Sequence, residues 1–87
     1  MNQNNILIVN AVEALVRVFG TSTELLALHK YDDRQAKLLA TYKQEGKDKY
    51  VVITLIDNDL QWGHYFTDKN NRQDAYEHYN ETVKDLV

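Results

Sequence analysis

The chain has 87 residues, 44% hydrophobic and 26% charged, with three glycines, no proline and no cysteine. That length holds one core, and the composition excludes disordered, collagen-like, linker-like and disulfide-stapled chains together with every thiolate metal site. Ten basic against thirteen acidic residues leave a net charge of −3, too mild to point to nucleic acid, a membrane surface or a nucleic-acid mimic.

Residues 6–19, ILIVNAVEALVRVF, are apolar except for Asn10, Glu13 and Arg17. Those three recur at spacings of three and four, so the segment predicts a helix with one narrow polar stripe, Glu13 and Arg17 standing as an i,i+4 pair. Gly20 supplies its stop. A buried strand over Ile6–Val9 ahead of a shorter helix is the competing pattern, favoured by the β-branched run. The segment is not expected to act as a secretory signal, since MNQNN carries no positive charge and polar residues break the apolar run. It is too short to span a bilayer, which takes about 20 apolar residues, and one Arg is too few for an in-plane membrane helix. A cytoplasmic location is expected.

Two patterns compete for residues 24–45. As strands, Leu25–Tyr31 and Ala36–Tyr42 form a hairpin around Asp32-Asp33-Arg34, with Ala36, Leu38, Ala40 and Tyr42 on one side and Lys37, Thr41 and Lys43 on the other. As helix, ELLALHK and QAKLLATYKQE have good propensity, Thr21 and Glu24 fit a capping box, and Gly46 fits a C-cap. The alternation favours strands. Tyr50–Ile56, YVVITLI, reads as a central strand covered on both faces. Asp57-Asn58-Asp59 is turn chemistry. A last strand over Gln61–Thr67 sets Trp62, His64 and Phe66 on one side and Tyr65 on the other. Asn71 caps a C-terminal helix with Asp74 three residues on, and Ala75, Tyr79, Val83 and Leu86 trace its apolar stripe.

The expected fold is therefore α+β over residues 1–87 as a single domain: N-terminal helix, four-stranded antiparallel meander, C-terminal helix on the sheet, in two layers. The alternative keeps 24–45 helical with only a C-terminal hairpin.

Chemistry is sparse. Nucleophilic catalysis lacks a nucleophile, because Ser22 is the lone serine, in a loop after Gly20, and cysteine is absent. His64, Asp74 and His78 are the one set a transition metal could take, but an Asp–His pair on a helix surface accounts for the last two. A calcium loop starting at Asp57 fails because Trp62 stands where the sharp turn demands glycine. Gly20, Gly46 and Gly63 are isolated, so no phosphate-cradling loop exists. No catalytic residue, metal or cofactor is assigned, and the chain reads as a non-enzyme. Lys37, Lys43, Lys47 and Lys49 are interleaved with acids, against nucleic acid as partner. The six tyrosines could line a recognition face, and Tyr76, off the Tyr79 stripe, is expected to be partly exposed and a candidate binding contact.

A chain of this mass hides only about 64% of its unfolded surface, so a monomer is marginally stable. The first helix has a wider apolar arc than the roughly 100° one sheet contact needs. A second copy is the natural cover, as a two-fold homodimer; a first helix sandwiched between the sheet and the last helix is the alternative. The expected function is an interaction or regulatory protein of the adaptor or inhibitor kind, with a possible further protein partner. Its self-association surface is Ile8, Val12, Leu15, Val16 and Phe19. The alternative is a small-ligand binder or minor enzyme with a pocket of Trp62, His64, Phe66 and Tyr79 between sheet and C-terminal helix.

Overall fold

The computed structural model describes residues 3–84, with side chains from residue 6 onward. Helix α1 (Gln3–Phe19) leads into strands β1 (Glu24–Lys30), β2 (Gln35–Gln44), β3 (Lys47–Ile56) and β4 (Asp59–Phe66), and helix α2 (Asn71–Lys84) follows. Ile6–Val9 belongs to α1, so the N-terminal strand pattern is overturned. The strands form one antiparallel sheet in the order β1-β2-β3-β4. Residues 24–45 are thus strand, and the helical alternative is overturned as well. Pairing decides this: Leu38 lies opposite Ile53 and Ala40 opposite Val51, so the alternating apolar residues of β2 meet apolar partners across the ladder, which outweighs helix propensity.

The turns follow the local chemistry. Gly20, at φ 91°, ends α1 and donates its N–H to the Val16 carbonyl, as a C-terminal glycine does. Asp32 Oδ1 accepts from the Arg34 and Gln35 amides at 2.8 and 2.9 Å, which closes the β1–β2 loop. Glu45 and Gly46, both at positive φ (54° and 77°), form the two-residue β2–β3 turn whose twist suits a hairpin.

The two helices occupy opposite faces. Leu7, Ala11, Ala14 and Leu15 of α1 pack with Ala36, Leu38, Ala40 and Tyr42 of β2 and with Val51, Ile53 and Leu55 of β3. Ala75 and Tyr79 of α2 pack on Leu39 and Val52, flanked by Leu26, Ala27, Tyr50, Phe66 and Val83. The architecture is therefore helix, sheet, helix, in three layers rather than the expected two. The arrangement with α1 between sheet and α2 is excluded. Leu86, the last member of the predicted stripe, lies outside the described residues.

Both sheet edges carry a β-bulge, one in β1 between Leu25 and Ala27 and one in β4 opposite the Ile53–Leu55 stretch of β3. The β1 bulge turns Leu26 and Ala27 toward α2 while Leu25 and Leu28 stay with α1. The β4 bulge releases Trp62 from the alternation. Beside it, Gly63 makes room for Ile53: a Cβ there would lie 3.0 Å from the Ile53 side chain. Asn71 begins α2, and its side-chain amide donates to the Asp48 carbonyl at 2.8 Å, which ties the helix to the start of β3.

Candidate functional site

The polar stripe of α1 is where the sequence puts it: Glu13 and Arg17 are exposed and Asn10 is half-buried. Arg17 donates to the Asn58 carbonyl in the β3–β4 turn at 3.2 Å, and among the described residues the i,i+4 ion pair with Glu13 is not formed. The remainder of the helix divides into two apolar surfaces. One, through Leu7, Ala11, Ala14 and Leu15, is sealed against the sheet.

The other surface stays open. Ile8 and Val12 are each 42% exposed and Val9 53%, with Val16 half-buried in line. Ile8, Val12 and Val16 recur every four residues and so form one ridge. Ile8 also overlooks a groove of about 360 Å³ beside β1, lined by Leu25, Leu26, Ala27, Leu28 and Lys30. The open ridge therefore runs on to the β1 edge as one apolar surface, which is uncommon on a monomer unless a partner covers it.

Of the five residues expected at the self-association surface, Ile8, Val12 and Val16 share this ridge. Leu15 does not, being wholly buried in the core, one position round the helix from Val16. Phe19 is also drawn inward: it stacks on Tyr42 at 4.6 Å between ring centroids and meets Tyr65 edge-on at 6.2 Å. Burial, with Tyr65 nearby, pushes the Tyr42 hydroxyl pKa up. Ile6 and Val9, exposed and apolar, and the β1 leucines were missed from the sequence. Their signal was present as uninterrupted apolar runs, but the runs alone do not tell the covered members from the open ones.

The expected pocket does not assemble from its four residues. Trp62 is 89% exposed and lies in an open groove with Gln61, Gly63 and Tyr65, because the bulge has turned it away. Tyr79 is buried beneath α2, with its hydroxyl pKa raised by that burial and by Tyr31. His64 and Phe66 do lie together, but around His78 of α2, at 4.4 and 5.5 Å between ring centroids. Asp74 does not complete a metal set with them, since no group of three or more potential ligands exists among the described residues.

A more enclosed cleft, of about 350 Å³, opens between the first turns of α2 and the sheet, lined by Glu24, Thr41, Lys43, Asp48, Tyr50, Arg72 and Tyr76 among others. Lys43 and Asp48 pair across it at 2.6 Å, and the pairing raises the Lys43 pKa. Arg72 lies over the Tyr76 ring, 5.8 Å from its centroid. Tyr76 is thus half-buried and lends its face to a guanidinium.

No helix among the described residues is long and apolar enough to cross a membrane. Comparison of the chain with protein-family models, with curated proteins and with solved structures gives no match.

Proposed function

We propose that this chain is a small cytoplasmic interaction protein of the adaptor or regulator kind that self-associates, as a two-fold homodimer, through the outer ridge of α1. The observation that carries the proposal is the uncovered row Ile8, Val12 and Val16, with Val9 beside it. A second copy suits that row better than a charged partner. The row holds no charge, its polar stripe is engaged elsewhere through Arg17, and an identical ridge related by a two-fold axis fits it in the commonest helix-packing geometry.

A helix of 17 residues spans about 25 Å, and the smaller specific interfaces bury about 600 Å² per protomer, so a dimer would draw on the adjoining β1 groove as well as on the ridge. Extension of the sheet is the less favourable route, because bulges interrupt both edges. A chain without cysteine fits a reducing compartment, where disulfide staples are unavailable and burial between copies is the remaining source of stability.

The test is solution mass by light scattering across a wide concentration range, on the native chain and on Val12→Glu. A species near twice 10.2 kDa for the native chain, reduced to the single-chain mass by the substitution, is expected. A native chain that stays single at every concentration, or a Val12→Glu variant that still pairs, removes the proposal.

The cleft beside Arg72 favours a second function, binding of a small molecule bearing an anionic group and an aromatic or apolar body. It has the size and the few convergent polar groups of such sites, and Arg72 has its Tyr76 backing but no carboxylate partner among the described residues. Thermal-shift screening against small carboxylates and phosphates tests it, with Arg72→Ala expected to abolish any hit.

A further inference from the structure

All three histidines of the chain gather on the sheet face that α2 covers, and an ammonium joins them. His64 of β4 touches His78 of α2, with 4.4 Å between ring centroids, and Phe66 of β4 closes the other side of His78 at 5.5 Å. Lys37 of β2 reaches the same area: its Nζ donates to Thr54 Oγ1 of β3 at 2.7 Å, which fixes the ammonium on this face. His29 of β1 is the cross-strand partner of Lys37, so its side chain shares that face, where it meets Tyr31 edge-on at 5.5 Å. Opposing these groups is one carboxylate close enough to act on His78, Glu81 of α2 itself.

We infer that α2 is a pH-released cover: a neutral His78 imidazole lets it lie on the sheet, and proton uptake at His78, against His64 and beside the fixed Lys37 ammonium, lifts its C-terminal half away. The geometry carries this through three points. The His78 ring lies against His64 and Phe66, so a charge on it loses water while α2 is docked. The sheet charge that acts on His78 is the Lys37 ammonium, which is positive. And α2 docks through a small set of side chains, Ala75 and Tyr79 buried and Tyr76 and Val83 half-buried, so a repulsion at His78 competes with its docking. Partial burial, then His64, then Lys37 all hold the His78 pKa below its ordinary value, with Glu81 pulling the other way.

The pH dependence has one sign. Above the unfolded His value, about 6.5, both the docked and the released states are neutral at His78 and docking is at full strength. As pH falls below that value the released state takes up the proton first, so docking weakens until pH passes the depressed native value. Release uncovers Leu39, Val52 and Phe66, an apolar surface separate from the α1 ridge.

Amide hydrogen exchange at pH 7.5 and pH 5.5, corrected for the intrinsic rate, tests the inference on the native chain and on His64→Gln, His78→Gln and the double variant. His64 is exposed, so His64→Gln leaves the core intact and keeps the test informative even if His78→Gln disturbs packing. The expected result is that residues 71–84 lose protection by about fivefold or more at the lower pH while β2 and β3 keep theirs, and that His64→Gln and the double variant reduce or remove the loss. Equal protection of α2 at both pH values overturns the inference. So does a loss shared equally by every segment, or an undiminished loss in the double variant.

Discussion

The two helices pack on one sheet yet make different use of it. α1 fastens itself to the sheet through two small residues, Ala11 and Ala14, and two large ones, Leu7 and Leu15, all in one buried cluster. It then has apolar residues to spare. α2 has the reverse balance: Ala75 and Tyr79 bury, while much of the rest of it is charged or amide-bearing, and its near-neutral titratable group faces the sheet. The side of the sheet with the larger buried cluster is thus also the side that leaves an apolar ridge open, whereas the opposite side carries a largely polar cover for which a pH response is proposed.

Leu15→Ala breaks the stronger half of this comparison. The side chain is wholly buried in the α1 cluster, so truncation removes its transfer energy and leaves a cavity, a loss of about 3 kcal/mol. Val12→Ala, three residues earlier on the open ridge, changes the stability of a single chain by no more than about 0.5 kcal/mol. Urea unfolding at low concentration, where any dimer has separated, checks both. A similar cost at the two positions would mean that the ridge is covered within the single chain.

The α2 face is probed by overpacking. Ala75 is fully buried against β3, and Ala75→Leu forces α2 outward at a cost of about 2 kcal/mol. Because the strain falls on the α2 interface, the change is expected to appear first as faster amide exchange across 71–84. Uniform loss of protection throughout the chain would make α2 as integral to the core as α1. Gly63→Ala is smaller again, about 1 kcal/mol, because the Ile53 side chain that meets the new Cβ can yield. Ile53→Val in the same background recovers part of the loss, and a double-mutant cycle on melting temperature measures that coupling.

How far the sequence could be read follows from what each pattern encodes. Alternation at Ala36, Leu38, Ala40 and Tyr42 requires a strand with one apolar face, and the buried run Val51–Val52–Ile53 requires cover on both, so the meander and the two-sided core were legible. Which helix covers which face was not, because a strand pattern names two faces without labelling them. The three-layer arrangement depends on the path from Phe66 to Asn71, where turn residues carry no direction. The bulges were hidden too. One extra residue at Leu26 or Trp62 leaves no compositional trace, yet it moved Trp62 out of the expected pocket. On α1 the apolar arc was visible while its division was not: Leu15 and Val16 are neighbours on the helix, and only the sheet's position shows that the first is core and the second belongs to the ridge. The meeting of His64 with His78 was foreseen as a possibility; Lys37 and its anchor on Thr54 were not, since they come from strands whose register spacing alone cannot fix.

The last prediction concerns a site remote from both helices and gives the background against which the others are read. Glu45 occupies the left-handed region at φ 54° in the β2–β3 turn, a conformation that costs a glutamate more than an asparagine. Asn-Gly is the preferred pair for a two-residue hairpin turn with positive φ at both positions, and Gly46 is already in place. Glu45→Asn is therefore expected to stabilise by up to about 0.5 kcal/mol, a rise of about 2–4 °C in melting temperature. Neither the assembly mass nor the pH response of α2 should change. If the substitution shifts either one, the turn communicates with a helix, and the division of labour between the two faces is not confined to the residues that line them.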